Sequence, residues 1–193
     1  MKRSASIYVW VVIAAGTAVL AGSLAVWRPE PRLLWLFYVA GAVAASAVKL
    51  RLPGNSGTYS LAFVPALYGI MRLQPAETLL ACCAASAGQS LLNARTRPRP
   101  VQLLFNAANI AVSVGVCCVA LRKLPGTSLG ASPEAVLCAI ACVYFALNTL
   151  LVSGVLALLE GKRLAEINTK WGDVRFFVGD GGSPGLVYFK QCG

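Results

Sequence analysis

The sequence contains no histidine and few charged residues. Without histidine, the chain itself can form no His-ligated zinc or haem site and no Ser-His-Asp or Cys-His nucleophile system. Charged residues make up 12% of the 193 residues, against about 25% in soluble domains, and hydrophobic residues make up 58%. A soluble protein of this size could not bury so much apolar surface. Most of the chain is therefore expected to lie in the lipid bilayer.

Carboxylates are also scarce, with seven Asp and Glu against 17 Lys and Arg. The net charge of +10 would suggest nucleic-acid binding in a soluble domain. Here the basic residues separate apolar runs, which the positive-inside rule explains, so we expect no nucleic-acid partner. Without an acid/base pair at the membrane surface, we also predict no enzymatic activity, no cofactor and no metal site.

The cysteines do not resemble a disulfide framework, because six of the seven lie within apolar runs. Cys138 and Cys142 stand one helical turn apart, which could suit a metal or redox pair. The favoured interpretation is that these thiols pack between helices as small hydrophobic residues.

Six apolar segments predict an all-α polytopic membrane protein with about six transmembrane helices. They cover residues 7–27, 33–48, 58–71, 75–92, 101–121 and 135–159. The first is too long for a typical signal-peptide core and is expected to be an uncleaved anchor. The third is the shortest and carries Pro65 in its middle, so it is either a kinked span or a re-entrant or broken helix. It follows a cluster of turn residues at 52–57.

The basic residues predict the orientation. With six crossings and the N-terminus inside, the Lys and Arg up to Lys170 divide into ten on the inner side and five on the outer side. We therefore expect a multi-pass protein of the bacterial inner membrane with both termini cytoplasmic. Residues 1–163 would form the transmembrane module. Residues 164–193 would form a short cytoplasmic tail, and we hypothesise that the chain is a truncated or frame-shifted piece.

Polar residues follow helical spacing inside three apolar segments. They are Thr78, Cys82, Ser86, Gln89 and Asn93 in the fourth segment, Gln102, Asn106, Asn109, Ser113 and Cys117 in the fifth, and Asn148, Thr149 and Ser153 in the sixth. The fourth and fifth are joined by a short link and are expected to be antiparallel neighbours. The stripes serve either hydrogen bonding between helices or a polar cavity for a small ligand or solute. The candidate ligand-binding residues are Gln89, Asn106, Asn109 and Asn148.

Three stretches resemble the N-terminal membrane region of certain bacterial signalling proteins. They are residues 49–60, 104–110 and 148–162, within a similarity that covers roughly residues 35–171. In such proteins a multi-span input module precedes a cytoplasmic HD-GYP phosphodiesterase or GGDEF cyclase domain. The resemblance implies a non-enzymatic sensory or anchoring module whose partners are the bilayer, a small ligand, and a cytoplasmic output domain or a second copy. The alternative is a small transporter or the substrate-binding membrane subunit of one.

Overall fold

The computed structural model describes residues 3–28, 33–51, 58–92, 98–123 and 132–160. Within them the chain forms six helices and one antiparallel pair of three-residue strands. The helices are α1 (Arg3–Ala25), α2 (Leu33–Ala47), α3 (Phe63–Arg72), α4 (Pro75–Leu92), α5 (Pro100–Lys123) and α6 (Pro133–Glu160), and the strands are β1 (Lys49–Arg51) and β2 (Thr58–Ser60). The predicted all-helical class is confirmed, with the strand pair as a small addition. The turn at 52–57, Asn93 and the tail at 164–193 lie outside the described residues.

The third apolar segment is not a single helix, contrary to one of the two interpretations of residues 58–71. Its first residues pair as β2 with β1, and helix α3 begins only at Phe63. Pro65 is the third residue of α3 and so lies in its first turn, where a missing N–H breaks no helical hydrogen bond. Proline therefore starts this helix instead of kinking it. At 10 residues, α3 is about 15 Å long, half the thickness of the hydrocarbon core.

Contacts between the long helices fix their directions. Gly16 of α1 packs against Ala108 of α5, and Val19 packs against Gly115 one turn further on, so α1 and α5 run parallel. Tyr8, near the start of α1, donates a hydrogen bond to the Leu151 carbonyl near the end of α6. Helix α6 is therefore antiparallel to both. The starts of α1 and α5 and the last residues of α6 lie together at one end of the bundle. We call this the proximal end, and we call the opposite end the distal end.

Helices α2, α3 and α4 complete the bundle. The indole of Trp35 donates to the Glu77 carbonyl, and Val43 packs against Gly88, so α2 and α4 both start at the distal end. Gly69 of α3 lies against Thr78 in the first turn of α4, which places the end of α3 at the distal end too. Strand β2 and helix α3 thus return the chain together from the end of α2 to the start of α4. This return is composite, part strand and part helix.

Helices α1, α5 and α6 are long and apolar enough to cross a bilayer, and α2 is a shorter apolar helix. Helix α5 is the central one, with 56% of its span buried against the rest of the chain, compared with 22% for α6. The large side chains of α2 face outward, since Leu33, Leu34 and Phe37 are 74–79% exposed. Such a continuous apolar face on the outside of a bundle suits contact with lipid.

Two apolar clusters form the interior. One, toward the distal end, includes Ile70, Leu79, Val114 and Ile140. The other, toward the proximal end, includes Val9, Phe105, Val152 and Val155. Asn109 of α5 and Asn148 of α6 lie between them, at mid-depth.

Candidate functional site

A buried amide pair joins α5 to α6. The Asn109 Nδ2 donates a hydrogen bond of 2.6 Å to the Asn148 Oδ1, and the two side chains are 0% and 2% exposed. Asn109 follows Ala108 of the proximal cluster, and Asn148 lies one turn beyond Tyr144 of the distal cluster. The pair therefore lies at the level where the two clusters meet, and it fixes the register of α6 on α5.

Four further polar atoms at this level are buried without a hydrogen-bond partner in the described part of the chain. They are the Gln89 Nε2, the Asn109 Oδ1, the Ser113 Oγ and the Thr149 Oγ1. Each buried polar group left unpaired costs roughly 1–3 kcal/mol in proteins. Buried polar groups in native structures are usually satisfied by the protein or by bound water, so this level could stabilise a further hydrogen-bonding group.

Part of this polar level opens into a small cavity, which we call the amide cavity. Its polar lining comes from Ser86, Gln89 and Asn148, and its aromatic lining comes from Phe63 and Tyr144. The volume open to water-sized molecules is about 30 Å³, enough for one or two waters, since a single water needs about 10–15 Å³. The cavity thus brings together one unpartnered amide, one paired amide and a hydroxyl.

The start of α3 forms one wall of the amide cavity. Phe63 packs against Phe145 in the middle of α6, with ring centroids 5.7 Å apart, and Ala62 and Ala66 complete this wall. The hydroxyl of Tyr38 holds the first turn of α3 through a 2.6 Å hydrogen bond to the Pro65 carbonyl. Because α3 is only half as long as a span, its first turn stands at mid-depth beside Gln89 and Asn148.

The four predicted ligand-binding residues are all buried, but they are not all at one place. Asn109 and Asn148 bond to each other, and Gln89 lines the amide cavity with Asn148. Asn106 is 2% exposed, already has an interaction partner, and lies outside the cavity lining. Ligand binding by these residues stays a prediction.

Sequence reasoning missed Phe63 and Tyr144, because aromatic residues in an apolar run carry no signal that separates a cavity wall from ordinary packing. It also placed Gln102 in the polar stripe. The Gln102 Oε1 instead accepts a 2.9 Å hydrogen bond from the Arg99 N–H and caps the start of α5.

The cysteines divide into two groups. Cys82, Cys117 and Cys118 are buried, as expected for thiols that pack between helices, whereas Cys138 and Cys142 are exposed on the outside of α6. The packing interpretation is therefore wrong for this last pair. Among the described residues, no three Cys, Asp or Glu side chains are grouped so that they could hold a metal ion.

A comparison with protein-family models matches residues 34–176, well over half of the chain, to MASE9, a family of membrane-associated sensor domains. The chain belongs to the MASE9 family. No curated protein and no solved structure matches it.

The MASE9 match runs from α2 through α6 and includes the whole amide cavity. Helix α1 lies outside the matched range but packs along α5 through Gly16 and Gly115. The sensor region of this MASE9 chain is therefore a membrane bundle whose matched part contains the buried amides.

Proposed function

We propose that this MASE9 chain is the non-enzymatic membrane input module of a bacterial signalling protein of the cyclic-dinucleotide type. Its family supports the sensor role, and the resemblance of residues 49–60, 104–110 and 148–162 supports the link to HD-GYP or GGDEF output domains. The partners would be the inner-membrane bilayer, a small polar ligand, and a cytoplasmic output domain or a second copy of the chain.

The observation that carries the proposal is the group of buried polar atoms at mid-depth that have no hydrogen-bond partner in the described part of the chain. Polar residues inside a membrane protein are costly where neither water nor another group pairs them, and such residues are usually functional. The Gln89 Nε2 lines the amide cavity and offers a donor that a polar group of a ligand could pair. A ligand in the amide cavity would also compete for Asn148, which holds α6 on α5.

The response would be a shift of α6 relative to α4 and α5. Helix α6 is less buried than α5, and its last residues lead toward the C-terminal segment. Such a shift requires that the ligand bind one arrangement of α6 more tightly than the other. The amide pair supplies two such arrangements, bonded and released.

The charge distribution supports cytoplasmic termini. Among the described basic residues, Arg3, Lys49, Arg51 and Arg99 lie near the proximal end, and Arg28, Arg72, Arg122 and Lys123 lie near the distal end. The composite third crossing keeps the number of crossings even, so the start of α1 and the end of α6 share one side. The positive-inside rule then places that side in the cytoplasm.

The test joins a diguanylate cyclase domain to the C-terminus of the full chain and measures cyclic di-GMP in membrane vesicles. Asn148→Leu removes the amide that links the cavity to α5 and should change cyclase output severalfold. Cys142→Leu on the exposed face of the same helix is the matched control and should leave the output unchanged. Equal output from wild type, Asn148→Leu and Cys142→Leu, at equal protein levels, would overturn the proposal.

One observation favours transport as a second candidate. A helix that begins at mid-depth beside buried amides is the arrangement in which broken helices of transporters bind substrate. Transport predicts solute uptake by the purified chain in liposomes that Asn148→Leu abolishes. A sensor predicts altered output in the fusion without such uptake.

A further inference from the structure

A second and much larger opening lies at the distal end, away from the amide cavity. We call it the distal slot. It has a volume of about 600 Å³, within the range of small-molecule sites, and it lies between the end of α1, the start of α4 and the end of α5. Its floor and walls are small or apolar, with Ala18, Gly22, Gly115 and Val119 among them.

The mouth of the distal slot is polar and cationic. Arg122 in the last turn of α5, Gln74 just before α4, and Trp27 just after α1 all line it. Trp27 packs against Trp35, with ring centroids 6.4 Å apart, as tryptophans do at the level of lipid headgroups. Its indole N–H is buried and has no hydrogen-bond partner in the described part of the chain.

The acidic residue in the first turn of α4, Glu77, is not part of this lining. Its Oε2 accepts a 3.3 Å hydrogen bond from the backbone N–H of Gln74, and its side chain is 2% exposed. The described ionisable group at the mouth is therefore the guanidinium of Arg122. An apolar slot that ends at a cation, at headgroup depth, is complementary to an amphiphile with an anionic head.

We infer that the distal slot binds one acyl chain of an anionic phospholipid, with its phosphate at Arg122 and Trp27. This site is separate from the amide cavity and does not depend on the function proposed for that cavity. The lipid would bridge the end of α1 and the start of α4. Anionic lipid content would thereby affect the packing of α1 on the sensor bundle.

The experiment uses the full chain in phosphatidylcholine vesicles, with Trp10, Trp35 and Trp171 replaced by Phe so that Trp27 alone fluoresces. Brominated phosphatidylglycerol or brominated phosphatidylcholine is titrated in, and quenching gives the relative association of each lipid at Trp27. We expect about a fivefold preference for phosphatidylglycerol, which corresponds to about 1 kcal/mol for one basic residue near the surface. Arg122→Gln should remove the preference, and Lys123→Gln, its neighbour outside the lining, should retain it.

A second pair of variants tests the slot itself. A Cβ at Gly22 would meet nothing within 4 Å and Gly22 lines the slot, so Gly22→Leu fills the slot without a clash. It should reduce quenching by both lipids. Gly41→Leu on α2 is the matched control, since a Cβ at Gly41 also meets nothing within 4 Å and Gly41 lies outside the lining.

Equal quenching by the two lipids, or a preference that survives Arg122→Gln, would overturn the inference and indicate ordinary contact with bulk lipid. Stronger quenching by a brominated fatty acid than by phosphatidylglycerol would overturn the assignment to phospholipid. If Gly22→Leu loses its helical circular dichroism, Arg122→Gln decides the question alone, because it changes only an exposed side chain.

Discussion

The amide pair makes a quantitative prediction about stability. The bond from the Asn109 Nδ2 to the Asn148 Oδ1 spans 2.6 Å between side chains that are essentially inaccessible. Hydrogen bonds between membrane helices contribute about 0.6 kcal/mol on average and up to about 1.7 kcal/mol. Asn148→Leu removes this bond and also leaves the whole Asn109 amide unpaired, since its Oδ1 has no partner already. We therefore expect Asn148→Leu to lower the free energy of unfolding by about 1–3 kcal/mol.

The double variant Asn109→Leu/Asn148→Leu separates the bond from the unpaired group. With both amides gone, neither leaves an unpaired partner behind, and the loss should be smaller than the sum of the two single losses by about 1 kcal/mol or more. The measurement is reversible unfolding in mixed micelles or bicelles, monitored by circular dichroism. Ser113→Ala is the matched control, because the Ser113 Oγ is buried with no partner and its removal should cost no stability.

Additive losses would refute this reasoning. If the double variant equals the sum of the single variants within about 0.5 kcal/mol, the two side chains are not coupled. A clear loss of stability in Ser113→Ala would likewise show that the hydroxyl has a partner, and that the polar level is satisfied in the folded protein.

Three further predictions concern the frame around the site. In Gly16→Ala the new Cβ would lie 2.5 Å from the Ala108 Cα, so α1 must move away from α5. The free energy of unfolding should fall by about 1–3 kcal/mol in the same assay. Gly22→Ala on the same helix is the control and should be neutral. Tyr38→Phe removes the hydrogen bond to the Pro65 carbonyl, so it should lower the free energy of unfolding by about 0.5–1.5 kcal/mol and speed hydrogen exchange in α3. The Tyr68 side chain is 56% exposed, and Tyr68→Phe should have neither effect. In a cysteine-free background, a cysteine in place of Arg97 should be shielded from a thiol reagent that cannot cross the membrane and is added outside. A cysteine in place of Gly126 should react with it. The reverse pattern would contradict the cytoplasmic orientation of the proximal end.

Hydropathy locates five of the six described helices and fails at residues 58–71. Long apolar runs with basic or proline boundaries locate α1, α2 and α4 to α6 within a few residues, and Pro75 begins α4 as expected. Hydropathy does not reveal the strand within residues 58–71, because this strand is only three residues long and its partner is the charged segment Lys49–Arg51. The turn cluster between them is a hairpin signal, but its six residues exceed the usual two to five.

The site is predictable to a similar degree. Polar residues at helical spacing inside apolar runs identify Gln89, Asn109 and Asn148, which the fold does bring to one level. Spacing alone cannot separate Asn106 from them, because a difference of three residues keeps a side chain on the same helical face while moving it about 4.5 Å along the axis. Whether a polar side chain reaches the cavity depends on its depth relative to the start of α3, which no pattern in α5 encodes.

The energetics limit what a ligand in the amide cavity could achieve. If it pairs the amides of Gln89 and Asn148, at about 0.6–1.7 kcal/mol for each bond, it favours one arrangement of α6 by roughly 1–3 kcal/mol. That range corresponds to a five- to 150-fold shift between the two arrangements, which is typical of coupling between sites. A shift of that size suffices to change an output only if the two arrangements are already close in energy.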